Sequence, residues 1–93
     1  MGHIELFHGI VVAIEEIIKS KNYSFVLERL VTLQDEEENK KMFLLTDETE
    51  LLQGSYFELG DMLEIWFDMD SSYPCYLPPR FVATMMKVKK NEE

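Results

Sequence analysis

From Ile4 to Ile18 the apolar positions satisfy two periods at once. Ile4, Phe7, Val11, Ile14 and Ile18 fall on a helical stripe, whereas Ile10, Val12 and Ile14 fall on one face of a strand. Residue type decides between them: six of the nine residues in IVVAIEEII are β-branched, and no Ser, Thr, Asp or Asn caps a helix start there. The pattern therefore predicts a strand, with Gly9 as a bulge or bend that lets it curl.

KSKN at 19–22 reads as a turn. The following YSFVLERLVTL alternates, with Phe25, Leu27, Val31 and Leu33 on one face, so the two segments predict a hairpin. QDEEENKK at 34–41 is a polar run and reads as a solvated loop ahead of MFLLT. The text from 47 to 61 is irregular, and Leu51 and Leu52 fit a short strand or a single helical turn. Gly60-Asp61 is a turn dipeptide. MLEIWFDM behind it alternates, with Leu63, Ile65, Phe67 and Met69 on one face and Met62, Glu64, Trp66 and Asp68 on the other. FVATMMKVK at 81–89 is the last predicted strand, and residues 90–93 form a charged tail.

Five β segments joined by turns predict an all-β domain closed into a small barrel, since closure removes the edges of an open sheet. The long first strand, the hairpin after it and the irregular connection at 46–61 favour an OB-fold, with an SH3-like barrel as the alternative. A chain of 93 residues makes one domain with a small continuous core.

Eighteen acids against nine bases give a formal net charge of −9, and its distribution is uneven. Residues 42–79 contain eight acids and no Lys or Arg. Binding a nucleic-acid backbone relies on clustered cations, so this balance argues against nucleic acid and for a basic protein or peptide, or for simple solubility. Cys75 is the single cysteine, which excludes an intrachain disulfide and points to a reducing, cytoplasmic setting. The N-terminal segment lacks the basic residues of a signal peptide, and its apolar run, cut by Glu15 and Glu16, predicts no membrane span.

The order of a long hairpin, ELGDMLEIWFD at 58–68, SSYP at 71–74 and a closing strand resembles the YobA-like domains of unknown function of Gram-positive bacteria, often secreted lipoproteins. The likeness covers roughly residues 8–89, and Gly60-Asp61 and Ser72-Tyr73-Pro74 are its specific parts. It implies an OB-like architecture and no known activity. The chain departs from the family in showing no leader or lipobox, which puts an extracellular role in doubt.

Candidate chemistry is sparse. Trp66, with Glu64 and Asp68 two positions away on either side, would suit an Arg, a Lys or a quaternary amine if its face is exposed; the plainer reading covers Trp66 with a neighbouring strand or with segment 48–58. Tyr73, ahead of Pro74, would lay its ring on the barrel mouth. Asp68, Asp70 and Ser72 imitate the first half of a calcium loop, but Tyr73 stands where Gly is needed and Pro79 where a bidentate Glu is needed. Cys75 has no His nearby in sequence to activate it, and His3 and His8 point to opposite faces of any strand that holds both. These residues predict no enzyme, cofactor or metal. They predict a protein or peptide interaction module, existing as a monomer or small homo-oligomer; single-stranded nucleic acid binding and a structural role in an assembly are the alternatives.

Overall fold

The computed structural model describes residues 3–52, 56–73 and 79–89. The described residues are all-β and form six strands: β1 (Ile4–Lys21), β2 (Ser24–Gln34), β3 (Lys40–Leu45), β4 (Glu50–Leu52), β5 (Met62–Tyr73) and β6 (Arg80–Lys89). Pairing runs β1 to β2, β2 to β3, β3 to β6, β6 to β5 and β5 back to β1, so five strands form a ring. The β3–β6 pair is parallel and the other four ring pairs are antiparallel. β4, one more strand than the pattern predicts outright, adds parallel to β6 outside the ring.

β1 serves two neighbours in succession. Ile4–Ile10 pair with β5, and Ile10–Lys21 pair with β2. Just before the handover, Gly9 passes Gln34 so closely that a Cβ would stand 2.6 Å from the Gln34 carbonyl oxygen, so only glycine fits the crossing. Just beyond it the register shifts between Val11 and Ala13. This bulge overturns the expectation that Ile10, Val12 and Ile14 share a face. Val11 is buried, Ile10 and Val12 are exposed, and Ile14 turns back to the core, because the extra residue swaps inside and outside. The backbone of Val11 is served by the Gly60-Asp61 turn: its N–H donates to the Asp61 carbonyl (2.9 Å) and its carbonyl accepts from the Gly60 N–H (2.9 Å). Gly60, at φ +94°, makes this approach without strain.

The core joins Val31 and Leu33 of β2, Phe43 and Leu45 of β3, Leu63, Ile65 and Phe67 of β5, and Phe81, Ala83, Met86 and Val88 of β6. Phe43 and Phe67, and Phe67 and Phe81, pack with ring centroids 5.0 Å apart and planes tilted by 58° and 54°, a favourable aromatic arrangement. Cations cover opposite ends of this core: Arg29 lies 4.7 Å from the Phe57 ring, and Lys41 lies 5.8 and 5.6 Å from Phe7 and Phe81. Met69, expected on the face of Leu63, Ile65 and Phe67, is instead exposed, where the β5–β6 register slips after Phe67.

A second bulge lies in β6, where Trp66 pairs with Met85 but Phe67 with Ala83. Two threonines serve the carbonyls around it. The Thr49 hydroxyl donates to the Ala83 carbonyl (2.8 Å) and accepts from the Thr46 N–H (3.0 Å); the Thr84 hydroxyl donates to the Trp66 carbonyl (2.9 Å).

Candidate interaction face

The outer face of β5 is built by its alternation. With Leu63, Ile65 and Phe67 turned inward, Met62, Glu64, Trp66 and Asp68 point outward and are all half-buried. Across this face Leu6 of β1 and Met85 of β6 stand opposite Trp66, His8 and Lys87 opposite Glu64, and Ile4 opposite Asp68. Trp66 is therefore part of an apolar row, with Leu6 half exposed beside it.

The two carboxylates that flank Trp66 differ. Glu64 meets the Lys89 ammonium at 3.8 Å, whereas Asp68 uses Oδ1 to accept the backbone N–H groups of His3 (3.2 Å) and Asp70 (2.9 Å). That second bond is local, joining residues two apart within β5. The backbone of Tyr73 pairs with Arg80 at the end of β5, but its side chain lies outside the described residues, as do Pro74 and Cys75. His3 contacts Glu5 (2.9 Å) ahead of β1, apart from His8. Among the described residues no group of three or more His, Cys, Asp or Glu is arranged to hold a metal ion.

Sequence reasoning missed a groove at the lower end of the same face. It has a volume of about 340 Å³ and is lined by His8, Ile10 and Met62 on one side and Asp35, Glu36 and Glu37 on the other. Ile10 and Met62 are cross-strand partners and make an apolar floor. The acidic wall is the β2–β3 loop, brought over β1 where Gly9 crosses Gln34. Its shape comes from Asp35, whose carboxylate accepts the N–H groups of Glu37 (2.9 Å) and Asn39 (2.9 Å) and the Asn39 side-chain amide (3.2 Å). The backbone bond from Asn39 is the main reason that the Asp35 carboxyl titrates below its ordinary value; desolvation opposes it, and the Asn39 side chain, Glu37 and nearby His8 add smaller lowering contributions. The run of like charges read as a solvated loop because no single residue in it marks where β1 bends beneath.

Compared with family models, curated proteins and solved structures, the chain matches none. No helix among the described residues is long and apolar enough to cross a membrane.

Proposed function

We propose that this chain is a non-enzymatic binding module, an OB-type barrel that takes a basic peptide segment along the outer face of β1 and β5. The observation that carries the reading is the groove in which the apolar pair Ile10 and Met62 lies below Asp35, Glu36 and Glu37. A Lys or Arg side chain has the matching division: a hydrocarbon stem for the floor and a cationic head for the carboxylates. Trp66 and Leu6 extend the same face and offer apolar contact to residues further along the peptide.

The OB-type assignment is supported by the long bent β1 shared between two neighbours and by the parallel closure of β3 on β6 in an otherwise antiparallel ring. It accords with the resemblance to YobA-like domains, which carries no activity. Single-stranded nucleic acid is the weaker partner class: Lys87 faces Glu64 and Lys89 pairs with it, so the basic residues of β6 do not form an open cationic track.

Titration with an Arg- or Lys-rich peptide, read by Trp66 fluorescence and by amide shifts, tests the proposal. Binding should weaken between about 50 and 500 mM salt, as the screening length shortens. Reversing Glu36 and Glu37 to Lys should lower the affinity about tenfold, or 1.4 kcal/mol. Unchanged affinity in that double variant, or binding indifferent to salt, would rule the groove out.

A further inference from the structure

The β1–β2 hairpin runs past the ring. β3 pairs with β2 only from Arg29 onward and β5 with β1 only up to Ile10, so from Ile17–Glu28 to Lys21–Ser24 the hairpin is a ribbon with no third strand among the described residues. The core-facing side of β2 continues along it: after Val31 comes Arg29, then Leu27 opposite Ile18, then Phe25 opposite Ser20. Beyond the ring this stripe is bare. Ile18 is 71%, Leu27 55% and Phe25 79% exposed. On the opposite side, Lys19 and Glu28 pair at 3.2 Å beside their cross-strand partners Val26 and Ile17, which are half-buried, so the bare apolar side chains lie on the Ile18, Leu27 and Phe25 face.

The tip adds an independent observation. Asn22 and Tyr23 form a two-residue turn with φ of 51° and 67°, the tight hairpin turn whose second position favours glycine. A tyrosine there is conformationally strained, and its side chain is fully exposed. A bulky aromatic kept at a strained tip, next to a bare apolar stripe on an otherwise marginal two-stranded ribbon, indicates a surface that becomes covered.

We propose that the cover is a second copy of this chain, its arm packed face to face against the first about a twofold axis. Charge selects this occupant. Residues 15–29 carry three acids, Glu15, Glu16 and Glu28, and three bases, Lys19, Lys21 and Arg29, so the whole net charge of −9 lies elsewhere. The arm is where two such acidic chains can meet without mutual repulsion. Ile18, Tyr23, Phe25 and Leu27 together expose on the order of 500–600 Å². Pairing two arms therefore buries about 1,000–1,200 Å², the lower end for a specific interface, which corresponds to a reversible dimer.

Sedimentation equilibrium over about 1–500 µM of the full chain tests this, beside the variants Phe25→Thr and Tyr23→Gly. The wild-type mass should rise from 11.0 kDa toward twice that value with concentration. Each variant should move the midpoint at least tenfold higher. Tyr23→Gly should also raise the melting temperature of the monomer by a few degrees, since it relieves the turn, so loss of the dimer cannot be blamed on unfolding. Added salt should leave the dimer intact or tighten it, opposite to its effect on a basic peptide. A wild-type chain that stays at 11.0 kDa throughout, or a dimer that both variants leave unmoved, overturns the proposal.

Discussion

Gly9 crosses Gln34 so closely that a Cβ on Gly9 would lie 2.6 Å from the Gln34 carbonyl oxygen and 2.8 Å from its carbonyl carbon. Both atoms are backbone and belong to the strand with which β1 pairs, so no side chain can swing aside. Gly9→Ala should destabilise the fold by about 2–3 kcal/mol, the range of an overpacked core site. Urea unfolding followed by Trp66 fluorescence measures it, and a loss below about 0.5 kcal/mol, within the range of ordinary surface substitutions, would show that the crossing relaxes freely.

Thr49 is the buried polar side chain among the described residues, and its hydroxyl both donates to Ala83 and accepts from Thr46. Thr49→Val keeps the shape and removes both bonds, leaving the Ala83 carbonyl short of a donor beside the β6 bulge. The expected cost is about 1–3 kcal/mol, whereas Thr49→Ser, which keeps the hydroxyl, should lose less than half as much. Thermal unfolding of the two variants side by side separates the hydrogen bonds from the lost methyl group.

Phe43 touches Phe7, Phe67 and Phe81, with centroids 5.7, 5.0 and 6.3 Å away. Truncation to Ala opens a cavity where β3, β5 and β6 meet, and should cost about 3–5 kcal/mol. Phe43→Leu should cost markedly less. Equal costs for the two would mean that the neighbouring rings collapse into the space.

The Asp35 carboxyl titrates low because backbone and side-chain N–H groups of its own loop hold the charged form. Its folded value lies below the unfolded one, so its stabilising effect is present above the unfolded carboxylate range, near pH 4, and fades as pH falls through the folded value. The amide resonance of Asn39 should therefore shift on acidification below about pH 4, before the sheet unfolds. Asp35→Asn, which cannot titrate there, should abolish that pH-dependent shift of the Asn39 amide.

The strands were legible where one face meets the core and the other does not. MLEIWFD in β5 follows the predicted alternation through Phe67, and Val31 and Leu33 are buried as their positions in β2 suggest. Legibility ends at the irregularities. The bulge after Val11 reverses the face of β1 in a run of Ile and Val whose members are interchangeable in character, so nothing marks the reversal. Phe25 and Leu27 share a face with Val31, but alternation does not say where the partner strands stop, and they emerge exposed. Glu64, Trp66 and Asp68 were recognisable as one outward row. The groove beside them was hidden, because it joins loop 35–37 to β1 and β5 through a crossing that only the folded chain displays.

β6 pairs with β3, β4 and β5, and it is the last of the six strands in the order of synthesis. A nascent chain emerging from the ribosome can form the β1–β2–β3 meander early, but until residues 80–89 appear Phe43 has no Phe81 beside it and β3 offers a bare hydrogen-bonding edge. Ring closure is thus deferred until translation has delivered β6. In that interval the half-built sheet is the form most exposed to holding chaperones and to unwanted pairing with its neighbours on the same polysome.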